Sequence, residues 1–257
     1  MRVVLLPGWN EAAKRMRTFV DGRNGKDGLS SFGFDCTLFP DGDEPLRQRI
    51  DRFAAFLTRL RAREPSAFPI ATIGYSVGGL VNRGFLRAYP ERASEIAATV
   101  QIAAPNGGLI TNYMLATMRL ARVPSHVLAD VDVAARFMTW LNGTTGHWEP
   151  DPDNRKKQRW HLNTKPWVVP DGHPYLHVVG RMPKYHLQSD GVVMIESATL
   201  DGAMETVSID RDEANHLNLG AVDNVFATVF RRFAHDDAVW PLCVESIARF
   251  LRSKGLR

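Results

Sequence analysis

The 257 residues carry 32 basic and 28 acidic side chains, a formal surplus of +4 that is small and scattered. This balance gives no ground for a nucleic-acid partner, while a peripheral contact with anionic lipid stays open. With 44% hydrophobic and 23% charged residues, the composition excludes a disordered or fibrous chain.

Val3-Val4-Leu5-Leu6 is a short apolar run stopped by Pro7-Gly8, which predicts a buried strand and a turn. The one arginine and four apolar residues before that turn are too few for a signal-peptide core, so a cytoplasmic location is expected. No apolar run is long enough to span a membrane. Residues 11–21 read as a helix and residues 34–39 as a second strand ended by Pro40. Leu46, Ile50, Phe53, Leu57 and Leu60 then recur at spacings of three and four, the stripe of an amphipathic helix. Asp43 precedes that helix as its expected N-cap, with Pro45 in the first turn.

Residues 68–73 read as a third strand, 77–89 as a helix stopped by Pro90, and 99–104 as a fourth strand. This alternation predicts an α/β fold, a doubly wound and mostly parallel sheet. The rhythm breaks after Gly108. Residues 109–122 and 127–142 read as two helices rich in Met, Leu and Ala, followed by a polar loop through residue 174. Strands at 175–180 and 206–209, a short helix at 194–200 and helices at 219–233 and 238–253 complete the chain. The expected organisation is a core in two parts, 1–108 and 173–257, with a helical cap or lid inserted at 109–172. Cys36 and Cys243 read as free thiols.

Gly74-Tyr75-Ser76-Val77-Gly78 fits G-x-S-x-G between an apolar strand and a helix, the pattern of a nucleophile elbow. The serine must stand on a sharp turn, and the residues two before and two after it crowd that turn, which suits Gly74 and Gly78. Such a serine needs a base, and the base an orienting acid. Asp190 follows the strand at 175–180, and His216 follows the strand at 206–209, in the order acid then histidine. His177 falls inside a strand and reads as a core residue; His235, Asp171 and Asp201 are weaker rivals. The backbone N–H groups of Val77 and Trp9 are the expected oxyanion donors. Tyr75, Met114, Met118 and Trp140 are candidate substrate contacts, and no metal or cofactor is expected.

These segments resemble the lipases and esterases of the α/β-hydrolase superfamily, especially bacterial triacylglycerol lipases and lipase-like deacylases. Gly74-Tyr75-Ser76-Val77-Gly78-Gly79-Leu80 is similar to their G-H-S-x-G-G-L run, and Ala103-Ala104-Pro105-Asn106-Gly107-Gly108 to the A-x-P-H-x-G segment before their lid. Ser189-Asp190-Gly191-Val192-Val193 resembles the segment bearing their acid, and Asn215-His216-Leu217 the segment bearing their base. The resemblance implies a Ser-His-Asp serine hydrolase acting on a small-molecule or lipid ester. Its alternatives are a phospholipid deacylase, a thioesterase, an acyltransferase or a non-catalytic binder on the same fold. Tyr75 departs from the family's elbow His, Pro7 from the His before the oxyanion turn, and Asn218 from an Asp that binds calcium in some members.

Overall fold

The computed structural model describes residues 1–8, 16–40, 42–108, 125–132, 135–151, 154–185, 189–190, 192–200, 205–219 and 237–256. In chain order, β1 (Arg2–Leu6), α1 (Arg17–Asp21), β2 (Asp35–Leu38), α2 (Leu46–Arg63), β3 (Ile70–Tyr75), α3 (Val77–Ala88) and β4 (Ile96–Ile102) form the first half. Next come α4 (Ser125–Val131), α5 (Arg136–Asn142), β5 (Gly146–Asp151) and β6 (Asn154–Leu162). The second half holds β7 (Tyr175–Arg181), α6 (Ile195–Thr199), β8 (Glu205–Asp210), α7 (His216–Leu219) and α8 (Trp240–Ser253). Six strands make one sheet in the order β2-β1-β3-β4-β7-β8, and every pairing in it is parallel.

Alternation along β1 sorts its side chains between two cores. Val3 and Leu5 join Phe19 of α1 and Trp240, Val244 and Ile247 of α8 on one face. Val4 and Leu6 join Ile50, Phe53 and Leu57 of α2 and Leu80, Val81 and Phe85 of α3 on the other. The apolar stripe of α2 is therefore buried as its spacing predicts, each such side chain worth roughly 1.5–3 kcal/mol. Its expected cap differs. Pro45 holds the N-cap position without a side-chain bond, and the Leu46 N–H donates instead to Asp130 Oδ2 of α4 at 2.8 Å. A carboxylate 84 residues away does what Asp43 was expected to do.

The segment between β4 and β7 also departs from expectation. The helix expected over 127–142 is two short helices, with Ala135 in an extended conformation ahead of α5 and Gly143 in the left-handed region behind it. The loop expected after residue 142 contains an antiparallel hairpin, β5 with β6, in which His147 faces His161 and Trp148 faces Trp160. The Trp148 and Trp160 rings meet edge to face at 5.3 Å, a cross-strand pair that stabilises a hairpin with charged residues in both strands. Residues 109–124 and 220–236, where further helices were expected, lie outside the described residues.

Arg83 ties this segment to α3. Its fully buried guanidinium donates to the carbonyls of Val168, Trp167 and Leu141, to Asn142 Oδ1 at 2.9 Å, and to Asn106. Burial lowers its pKa to about 10, which still leaves the group charged near neutrality. The hairpin thus rises from a stem fixed on both sides, and Trp167 N–H closes that stem on the Asn142 carbonyl at 2.7 Å. Among the described residues, no helix is long and apolar enough to cross a membrane. Both cysteines are free; burial pushes the Cys36 thiol up to about 12 and that of Cys243 up as well.

Candidate active site

β3 runs straight into α3 through Ser76, whose backbone sits at φ 53°, ψ −127°. A non-glycine residue held there carries strain of roughly 1–3 kcal/mol, which the surroundings must offset. They do so by close packing and hydrogen bonding. Ser76 N–H donates to the Ile102 carbonyl at 2.9 Å, and the Ser76 carbonyl accepts from Gly79 N–H at 2.9 Å. The elbow glycines are required sterically. A Cβ on Gly74 would stand 2.5 Å from the Gly78 carbonyl oxygen, and one on Gly78 would come closer than 3.0 Å to the Leu6 and Pro7 carbonyl oxygens.

The loops after β7 and β8 bring the other two residues to this serine. β7 carries Gly180, where an added Cβ would stand 3.2 Å from Asp190 Cβ and collide with the Ala214 carbonyl, so only glycine lets both loops close here. Asp190 Oδ1 accepts from the N–H groups of Val192 at 2.9 Å and Val193 at 2.7 Å, which fixes the carboxylate. Its Oδ2 lies 2.7 Å from His216 Nδ1, and His216 Nε2 lies 3.0 Å from Ser76 Oγ. A carboxylate only accepts, so Nδ1 carries the proton and the Nε2 lone pair faces the serine hydroxyl. His216 opens α7, held by its own N–H on the Asp190 carbonyl at 2.9 Å and by Asn215, whose Oδ1 caps Asn218 N–H at 3.0 Å. Ser76, Asp190 and His216 are 7%, 2% and 5% exposed, dry enough for these bonds to be strong.

Val77 is the first residue of α3, where an amide has no acceptor within its own helix. The turn after β1 lies against the serine: a Cβ on Gly8 would be 3.2 Å from Ser76 Cβ. Beneath this turn sits Arg49, 2% exposed, whose Nη1 and Nη2 donate to the Gly8 and Pro7 carbonyls at 2.9 Å each. Sequence reasoning passed over Arg49, because the Pro7 and Gly8 carbonyls it serves lie 42 and 41 residues away along the chain. Trp9, Met114 and Met118 lie outside the described residues. Trp140 packs beside Gly84 of α3, with the Arg47 guanidinium over its ring at 4.3 Å. Tyr75 is 4% exposed and bonds to His216 rather than lying open.

His177, read from sequence as a core histidine, is one. Its Nε2 accepts from Ala104 N–H at 3.1 Å, and burial lowers its pKa to about 3, which keeps it neutral. It belongs to a polar cluster in which Asn106 Nδ2 donates to Gln101 Oε1 at 2.5 Å and to the Ala198 carbonyl at 2.9 Å. This cluster, with Gly107 N–H on the Ser197 carbonyl at 2.7 Å, stitches the segment after β4 to α6. Among the described residues, no group of His, Cys, Asp and Glu is arranged to hold a metal ion.

No family model matches the chain, and no curated protein matches it in sequence. Solved structures do. A metagenomic carboxyl esterase superposes with a TM-score of 0.63 over 98% of this chain and 76% of its own, at 16% identity. The mature lipase of Bacillus licheniformis gives 0.59 over 90% of each chain at 15% identity. The chain has the α/β-hydrolase fold. A phospholipase of Legionella pneumophila shares that α/β-hydrolase fold at a TM-score of 0.56 and 12% identity, with 99% of this chain covering 64% of the larger protein. Ser76, Asp190 and His216 follow β3, β7 and β8 at the carboxyl end of this parallel sheet.

Proposed function

We propose that this protein is a serine hydrolase that cleaves a carboxylic ester through an acyl-enzyme. The observation that carries the reading is the buried chain from Asp190 through His216 to a strained Ser76, with links of 2.7 and 3.0 Å. His216 takes the Ser76 proton as Oγ attacks the ester carbonyl, and Asp190 holds the imidazole tautomer and stabilises its charged form. The tetrahedral oxyanion is received by the Val77 N–H and the Trp9 N–H. Arg49 braces the turn that leads to the second donor through its bonds to the Pro7 and Gly8 carbonyls. His216 then protonates the leaving alcohol, water attacks the acyl-enzyme with His216 as base, and the acid departs.

Three of the solved structures sharing this fold are described as a carboxyl esterase, a lipase and a phospholipase, which supports an ester substrate with an apolar acyl part. Met114, Met118 and Trp140 remain the candidates for its acyl contacts. The test uses a fluorescent fluorophosphonate, which reports an activated serine whatever the substrate. Native protein should label, while heat-denatured protein and Ser76→Ala should not. Native protein that stays unlabelled would overturn the reading in favour of a non-catalytic binder. Labelling protein is then screened on esters of graded chain length, a phospholipid and a thioester.

A further inference from the structure

We infer that Tyr75 is a positioning residue that holds His216 in register with Ser76, an inference that rests on the hydrolase reading. Tyr75 ends β3 and is joined to Ser76 by one peptide bond. Its hydroxyl donates to the His216 carbonyl at 2.9 Å. Its ring lies 5.2 Å from the imidazole, centroid to centroid, at an interplanar angle of 37°. The same ring also packs on the turn after β1, where a Cβ on Gly8 would stand 3.1 Å from Cδ1 and 3.2 Å from Cε1. One side chain thus touches the turn assigned to the oxyanion, adjoins the nucleophile and bonds to the base.

The bond pattern around His216 says what this contact does. Its N–H is held by the Asp190 carbonyl and its Nδ1 by the Asp190 carboxylate. Both links lead to the same acid loop, so they fix the imidazole relative to Asp190. The Tyr75 hydroxyl, by contrast, ties the His216 main chain to the elbow. Because Tyr75 and Ser76 are consecutive, a displacement of the elbow carries tether and nucleophile together. The 3.0 Å separation of Nε2 and Oγ is then preserved, a distance on which proton transfer depends steeply.

Tyr75→Phe deletes the tether and keeps the ring. With p-nitrophenyl butyrate as probe, kcat should fall about 5- to 20-fold with KM unchanged, in line with loss of one hydrogen bond and a small misplacement. The far-downfield proton NMR signal of the His216 Nδ1–H shared with Asp190 should shift or broaden, a change that a merely stabilising tyrosine would not cause. Gly8→Ala, whose methyl presses on the Tyr75 ring, should perturb the same signal with the hydroxyl in place, and serves if Tyr75→Phe does not fold. An unmoved signal in the folded variants overturns the inference, as does a kcat within twofold of wild type. A raised KM with an unmoved signal overturns it in favour of substrate contact. Wild-type protein that neither labels nor turns over defeats the hydrolase reading alone, since the NMR signal still reports the tether.

Discussion

Replacing Arg49 with methionine keeps most of the buried stem and removes both hydrogen bonds to the turn after β1. The Pro7 and Gly8 carbonyls, each 2.9 Å from the guanidinium, would lose those partners while buried. Stranding a buried acceptor costs roughly 1–3 kcal/mol, and relief from burying a cation offsets part of the sum, so a net loss of about 2–4 kcal/mol is expected. The effect on rate comes from a different source. Losing one oxyanion donor costs about 10²–10³ in kcat, and a turn that is loosened rather than removed should cost about 10- to 100-fold. Urea unfolding gives the first number, and steady-state kinetics on a p-nitrophenyl ester gives the second, with KM little changed. Arg49→Lys, able to reach one carbonyl at a time, should fall between. A variant that loses stability yet keeps kcat within twofold would refute the link between Arg49 and the oxyanion turn.

Asp190→Asn keeps the size of the acid but removes its charge and the certainty of the His216 tautomer; kcat should drop about 10³- to 10⁴-fold while fluorophosphonate labelling slows in parallel. Gly78→Ala drives a methyl against the Leu6 and Pro7 carbonyls, so thermal unfolding should show a loss of at least about 1–3 kcal/mol together with lost activity. His177, with its pKa lowered by burial to about 3 from an ordinary 6.5, is neutral in the folded chain. Between those values the unfolded chain binds the extra proton, so stability is full above pH 6.5 and falls as pH drops toward 3. His173, lowered by burial to about 4, adds to the same trend, and His177→Gln should flatten the slope of urea midpoint against pH across that window.

The parts of the molecule that were legible in the sequence are those governed by local rules. The strands β1, β3 and β4 read as apolar runs because both faces of a parallel sheet are covered, and α2 read as a stripe because only one side is buried. Ser76, Asp190 and His216 were legible for a different reason: each is held in a short segment whose glycines and amides must be adjacent in sequence. What stayed hidden depends on partners distant along the chain. Asp130 caps α2 from another helix, and Arg83 and Arg49 look like solvated charges until the carbonyls they serve are folded around them. The hairpin of β5 and β6 was missed because its charged residues and Pro150 blur the alternation, while its pairing of like residues shows only once the strands are aligned.

The stem closed on Arg83 also bears on how this fold tolerates change. Its guanidinium is satisfied mainly by main-chain oxygens, from Leu141, Trp167, Val168 and Asn106. Main-chain oxygens are the one feature of a polypeptide that substitution leaves in place. The arm between Asn142 and Trp167 is therefore free to drift in sequence, shorten or be exchanged for another without disturbing α3 or the serine at its head. That makes residues 143–166 a natural graft point, where a foreign loop or affinity tag should be carried with α3 and the Ser76 turn unaltered.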